Sequence, residues 1–227
     1  MYDTTQDYRI TIADKTVDKI IAFTENRVFP YKINRQGILK NLRKLKSSIA
    51  EIKYIYIEPT EIKKLPQLHI IEKTADDICS ELLNADVSNL RTAKHKLAYY
   101  YAKFFRLIFR NLRSSFDKEN LPESIISLKI GEILTITKHP KADRLFICKV
   151  DVGERLDIIT NITGLKKGDK IPVAFVPPVE IMGIISPAQF VDIPVRDIIP
   201  IGSTIDPTDK ARQEIRNSLE ALIPYKP

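Results

Sequence analysis

The stretch from Gly131 to Gly153, GEILTITKHPKADRLFICKVDVG, constrains this chain more than any other. Apolar residues recur at Ile130, Ile133 and Ile136, stop, and resume at Leu145, Ile147, Val150 and Val152. The interruption predicts two β-strands joined by a polar hairpin connection. That connection is His139-Pro140-Lys141-Ala142-Asp143-Arg144-Leu145. Pro140 lacks a backbone donor and pushes His139 into an extended conformation, while Asp143 can accept nearby backbone amides and close the turn.

Further strands follow. Arg155-Leu-Asp-Ile-Ile-Thr-Asn-Ile162 reads as a third, Gly164 to Lys170 as a turn with two glycines, and Ile171-Pro-Val-Ala-Phe-Val176 as a fourth. Val179 to Val191 supplies at least one more. Five short strands broken by Gly, Pro and Asp fit a small closed barrel, which removes exposed sheet edges by closure.

The run G-E-I-L…K-H-P-K-A-D-R-L…K-V-D-V-G resembles the tRNA-binding domain. That domain occurs as a free dimeric protein, at the C-terminus of many methionyl-tRNA synthetases, and near the N-terminus of bacterial phenylalanyl-tRNA synthetase β-chains. The resemblance covers roughly Ser124 to Asp192 and implies an OB-fold barrel. The KKGDKIPVAFV portion is closer to the phenylalanyl-tRNA synthetase version. The family pattern closes on a segment like N-L-K-P…K-L-R-G-V-x-S-x-G-M, whose polar residues and methionine line the face that meets the outer corner of tRNA. Here Gly183 and Ser186 match, but Met182 replaces the basic residue, Gly has become Ala188 and Met has become Gln189.

The N-terminal half is helical in pattern. After a polar lead with Tyr8, Ile10 and Ile12, Asp14 is expected to cap a helix whose apolar face is Val17, Ile20, Ile21 and Phe23 and which ends near Pro30. Asn34 is expected to cap a second, with Ile38, Leu39, Leu42, Leu45, Ile49 and Ile52 at helical spacing. Tyr54 to Glu58 fits either a brief strand or a continuation of that helix up to Pro59. A helical turn over Thr60 to Leu65 and a longer helix from about Leu68 to Leu83 follow, separated by Pro66. Ser88 is expected to open the longest helix, which carries Leu97, Tyr100, Tyr101, Phe104, Phe105, Ile108 and Leu112. Its aromatic residues have the spacing of a bundle core. Its basic residues, Arg91, Lys94, Lys96, Lys103, Arg106, Arg110 and Arg113, suit either a solvated face or phosphates.

The polar run RSSFDKENLPES, containing Pro122, reads as a domain boundary. The fold class is therefore multidomain α and β. An N-terminal helical bundle over residues 1–122 precedes a five-stranded OB-fold barrel over 123–227, which has a C-terminal arm and helix. The arm is IPVRDIIPIGSTIDP; the helix starts at Asp206 or Thr208 and puts Ala211, Ile215, Leu219 and Leu222 on one side.

Charge is distributed unevenly. Met1–Pro122 carries 22 Lys+Arg against 15 Asp+Glu and the remaining residues 14 of each, so the net +7 lies outside the barrel. That surplus suits a polyanionic partner or an ordinary solvated surface. No apolar run approaches the roughly 20 residues of a membrane span, and MYDTTQDYRI is not a signal-peptide core, so the expected location is cytoplasmic. In that compartment Cys79 and Cys148 are expected as buried free thiols.

There is no G-x-S-x-G, phosphate-cradling glycine loop, H-E-x-x-H or dinucleotide fingerprint, and no C-x-x-C for zinc. No catalytic residue, metal or cofactor is implied. His139 and Asp143 suit a structural hydrogen bond within the turn better than an acid–base pair. The resemblance instead implies a noncatalytic tRNA-binding protein, assisted by the basic helical domain and with an aminoacyl-tRNA synthetase and a second copy as further candidate partners. The alternative is a synthetase-associated interaction or dimerisation scaffold whose RNA face has decayed. The candidate nucleic-acid contacts are Lys138, Lys141 and Arg144 near the signature turn, Asn161, Lys166 and Lys167 by the glycine turn, Ser186 and Gln189 by the closing strand, and Lys103, Arg106 and Arg110 on the long helix.

Overall fold

The computed structural model describes residues 2–84, 87–192 and 199–223. The chain divides into two compact units, Met1–Ile125 with Glu220–Pro227 and Ile126–Leu219.

The first unit holds α1 (Tyr8–Glu25), α2 (Arg35–Lys53), the single turn α3 (Pro59–Ile62), α4 (Pro66–Leu83) and α5 (Ala93–Ser115). α1 packs on α2 and α5, and α4 packs on the same two helices, so the four long helices close a ring. Its interior is apolar at helical spacing: Ile10, Val17 and Ile20 from α1, Ile38, Leu42, Leu45 and Ile49 from α2, Leu68, Ile71 and Ile78 from α4, Phe105, Ile108 and Leu112 from α5.

Two local expectations, both of helix starts, are corrected here, and the choice left open at Tyr54–Glu58 is decided. α1 starts at Tyr8, not after Asp14: Asp7 is the cap, its carboxylate accepting from the amides of Arg9 (2.8 Å) and Ile10 (3.3 Å). Asp14 lies inside the helix and faces Lys46 (3.4 Å) and Lys53 (3.3 Å) of α2. The long helix is capped by Thr92, which accepts from the His95 amide, while Ser88 sits in a separate 3-10 turn over Val87–Asn89. After Lys53 the chain leaves the helix and runs extended. Ile55 O accepts from Thr4 N (3.3 Å), and Ile57 N donates to Tyr2 O (3.1 Å).

Asn34 caps α2 as expected, accepting from the Gly37 amide at 3.1 Å. α1 ends in a Schellman arrangement: Arg27 takes φ 55°, its amide donates to Thr24 O and that of Val28 to Phe23 O. The buried Arg9 ties the start of α1 to the end of α5. Its guanidinium bonds Asp7 and donates to the carbonyls of Ser115 (2.8 Å) and Lys118 (2.9 Å), stacked 4.8 Å from the Phe116 ring centroid.

The second unit holds β1 (Leu128–His139), β2 (Ala142–Asp151), β3 (Arg155–Thr160), β4 (Lys170–Ala174), β5 (Val179–Ile181), β6 (Ile184–Ser186), β7 (Gln189–Phe190), β8 (Thr204–Ile205) and the helix α6 (Asp209–Leu219). The main sheet runs β3-β2-β1-β4-β7, all antiparallel, with β5 and β6 forming a separate ribbon. It is an open, barrel-like sheet: β3 and β7 end the hydrogen-bonded order instead of pairing with each other.

A bulge at Leu134 puts Ile133 and Ile136 on one face of β1 although they are three apart: Ile133 pairs with Val150 and Ile136 with Cys148, the register shifting between Ile133 and Thr135. The row Ile133–Val150–Leu156 is buried in the core with Cys148 and Ile158 beside it, and Ile136 at the end of the second row is half-buried. Gly131 is required beside them: a Cβ there would lie 2.6 Å from Val150 Cγ1 and 3.0 Å from Val173 Cγ2.

β8 continues the sheet where β2 ends. It pairs with Leu128 and Lys129 of β1, and Ile130 exchanges bonds with Ser203 O and Gly202 N. Within the expected arm, residues 193–198 lie outside the described residues. Of the two proposed helix starts, Thr208 is the one that caps, accepting from the Ala211 amide at 3.3 Å. Cys79 and Cys148 are both free and buried.

Candidate nucleic-acid interface

The signature turn lies at the tip of the β1–β2 hairpin, where His139 pairs with Ala142 across a second register shift. The His139 side chain is buried and does not bond Asp143 as expected. Its Nδ1 accepts from the Lys141 amide (3.1 Å), and its Nε2 stands 3.3 Å from the Ile181 carbonyl. A neutral imidazole protonated at Nε2 satisfies both contacts, so this histidine is a clasp between the turn and β5.

The clasp sets the turn against the tip of the β5–β6 ribbon. Ile181 pairs with Ile184, so Met182 and Gly183 are the two connecting residues, with φ of 50° and 94°. Positive φ at both central positions is the geometry of a type I′ hairpin turn. Lys141 Nζ lies 3.8 Å from the point where a side chain would begin on Gly183. Lys138, Lys141 and Arg144 are exposed, and among the described residues none of the three makes an ion pair.

Across the sheet Lys138 stands opposite Phe146, and Phe146 opposite Thr160. Directly opposed residues share a face, so the half-buried Phe146 ring neighbours the Lys138 stem. Asn161, exposed, follows that row at the end of β3. These four polar residues are thus brought to one end of the barrel.

Lys166 and Lys167 are not with them. The loop that carries them bonds β1 at Ile133, through Gly168 N to Ile133 O (2.8 Å) and Ile133 N to Asp169 O (2.9 Å). Ile133 is five residues from Lys138, about 16 Å along a strand.

Ser186 and Gln189 are engaged within the chain. The Ser186 hydroxyl is buried, accepts from Ile159 N (3.0 Å) and donates to Ala188 O (2.9 Å). It thereby bridges β3 to the chain between β6 and β7, across the gap where the sheet is open. Gln189 is held by α6: its amide nitrogen donates to Glu214 O (3.3 Å) and its oxygen accepts from the Ser218 hydroxyl (2.6 Å). Lys210 of α6 pairs with Asp192 just beyond β7.

On α5 the aromatic residues Phe104, Phe105 and Phe109 are buried as core. Lys103, Arg106 and Arg110 recur at i, i+3 and i+7 and share one face. Lys103 Nζ stands 5.5 and 5.9 Å from the ring centroids of Tyr99 and Tyr100. Arg113 is committed elsewhere, its guanidinium forked onto Glu72 at 2.6 and 2.7 Å. Burial pushes the Cys79 thiol of α4 up to about 12, partly opposed by Arg106 and Arg110.

Comparison with known proteins follows this division of the chain. Residues 1–120 match the family model described as "Alpha helical domain", more than half of the chain, and residues 128–190 match "Putative tRNA binding domain". The chain belongs to the alpha helical domain family, and its barrel to the tRNA-binding domain family. The chain is 42% identical over 53 residues to the phenylalanine–tRNA ligase beta subunit of Oleidesulfovibrio alaskensis, a match covering 23% of this chain and 7% of that protein. It is also similar to the methionine–tRNA ligase of Pyrococcus abyssi, 28% identical over 85 residues, 34% of this chain and 12% of the ligase. A solved MetRS related protein from Pyrococcus horikoshii is 22% identical, with a TM-score of 0.32 over 35% of this chain and 89% of that one. The chain thus spans only a small part of the curated relatives it matches.

Met182, a departure from the family pattern in the sequence, gains a further feature in the structure. Met182 is 56% exposed in a left-handed conformation that costs a non-glycine residue roughly 1–2 kcal/mol. The sequence signal for it is the Met-Gly pair between two isoleucines.

Proposed function

We propose that the chain is a noncatalytic tRNA-binding protein. In this reading the tRNA-binding domain meets folded tRNA with the end of its barrel that carries Lys138, Lys141, Arg144 and Asn161, and Lys103, Arg106 and Arg110 of the helical domain add contacts to phosphates. The observation that carries it is three exposed cations without ion pairs, among the described residues, at the signature turn of a tRNA-binding-family domain. Phosphates attract such groups at little desolvation cost, and folded RNA is recognised largely by shape and backbone. Lys166 and Lys167 belong to the proposed contacts as a second cluster further along β1; Ser186 and Gln189 support the interface from within. An aminoacyl-tRNA synthetase is the proposed protein partner and the cytoplasm the proposed location; among the described residues no helix is long and apolar enough to cross a membrane.

The internal engagement of Ser186 and Gln189 favours a second reading, a synthetase-associated scaffold that has lost RNA binding. Titrating the full chain with tRNA and with duplex RNA at two salt concentrations separates the two. The first reading expects preference for tRNA and a steep salt slope, which a Lys138→Ala, Lys141→Ala, Arg144→Ala triple variant flattens by about 2 to 3 units. Absence of binding at low salt overturns it, and a complex with a purified synthetase under the same conditions then supports the scaffold.

A further inference from the structure

The β5–β6 tip combines features that ordinary folding does not require. Met182 occupies a left-handed position that glycine or asparagine fills without strain. Its side chain faces solvent, and Val179 at the other end of β5 is also half exposed. A hairpin connection of this type has no need of a large apolar side chain. Strained backbone that persists in a well-determined turn tends to mark a contact site.

The surroundings indicate the partner. The tip is fastened by His139 to the turn that holds Lys141, with Lys138 and Arg144 on the adjoining strands. Asp143 follows Lys141 at the start of β2 and Glu180 lies two residues before Met182, so between positions 138 and 144 and along β5 three cations stand against two carboxylates. An apolar, polarisable side chain set beside a surplus of unpaired cations is complementary to a ligand that offers a flat aromatic face next to negative charge. An unpaired nucleobase on its phosphate backbone has that chemistry, and a thioether packs favourably on an aromatic face.

We propose that Met182 is a nucleobase-contacting residue, stacking on an unpaired base of tRNA whose flanking phosphates meet Lys138, Lys141 and Arg144. This rests on the tRNA-binding reading and adds to it a contact that salt does not screen. It also explains the strained backbone: the turn keeps methionine where glycine would be more stable because the side chain is used in binding.

The test is Met182→Gly and Met182→Asn in the full chain, with Met182→Leu as the apolar control. Relief of the left-handed strain is expected to raise the melting temperature of the first two by a few degrees. Their tRNA affinity is expected to fall about two- to tenfold at each of two salt concentrations with the salt slope unchanged. Leucine is expected to keep most of the affinity. If the parent binds tRNA and the glycine and asparagine variants bind it equally well, the proposal fails while the tRNA-binding reading stands. A parent that binds no tRNA removes both. A changed slope, or variants that alter only the solution mass of the protein, also overturns the proposal; the latter assigns the tip to contact with a second copy.

Discussion

Ser186→Ala distinguishes a serine that meets RNA from one that holds the barrel together. The hydroxyl is the link between the Ile159 amide on β3 and the Ala188 carbonyl, and Ser186 is 3% exposed. Alanine fills nearly the same volume, so no cavity opens, but a buried amide and a buried carbonyl each lose a partner. An unsatisfied buried polar group costs about 1–3 kcal/mol, and two together set an expected loss of about 2–6 kcal/mol. For a unit of this size that corresponds to a fall of about 10–30 °C in its melting temperature. Calorimetry on the full chain measures the shift, and a tRNA titration well below the transition measures affinity. The expected result is a large fall in stability with affinity unchanged. A variant as stable as the parent but impaired in tRNA binding would refute the reasoning, because the hydroxyl would then have been free for RNA.

Gly131→Ala is expected to lower the denaturant midpoint by the equivalent of about 1–3 kcal/mol with the slope unchanged, because its Cβ would press into Val150, Val152 and Val173 at 2.6, 2.9 and 3.0 Å; an unchanged midpoint contradicts the packing. Cys79 predicts a loss of stability at alkaline pH. Burial raises its thiol from 9.0 to about 12, so below pH 9 both folded and unfolded states hold the proton. Between those values the unfolded chain ionises while the folded one does not, and each pH unit removes up to about 1.4 kcal/mol from the folded state. Replacing Cys79 by alanine should flatten that decline in denaturation midpoints measured below and above pH 9. Parallel declines in variant and parent would exclude Cys79 as the cause.

The two-stranded stretch around HPKADRL was legible because its pattern is local: alternation, interruption and turn chemistry all lie within one hairpin. The Asn34 cap was legible for the same reason, since its partner is Gly37, three residues on. Misplaced helix starts share a different cause. Asp14 and Ser88 are good caps by residue type, yet Asp14 is held by lysines 32 and 39 residues away on α2, and the turn at Ser88 stops before Thr92 begins the helix. Asp7, the actual cap, is supported by Tyr2 and by an arginine whose other partners lie on the far end of α5. In the candidate site, exposure of Lys138, Lys141 and Arg144 follows from a polar turn at a hairpin tip. The engagement of Ser186 and Gln189 does not follow from any local pattern, because their partners Ile159 and Ser218 are 27 and 29 residues distant.

That distinction orders how strongly each polar group of the barrel can act on a ligand. A side chain with internal partners has to release them before it can bond RNA, which forfeits about 1 kcal/mol for each hydrogen bond exchanged. Gln189 would release the Glu214 carbonyl and the Ser218 hydroxyl and with them part of the seating of α6. Lys138, Lys141 and Arg144 have no ion pair among the described residues to release. Where the sequence pattern of the closing segment departs from the family, at Met182, Ala188 and Gln189, the polar atoms of β7 face α6, and the departure at the β5–β6 tip faces solvent. Selection for binding can therefore act at Met182 without disturbing the fold, whereas at Gln189 any change is felt first by the packing of the helix.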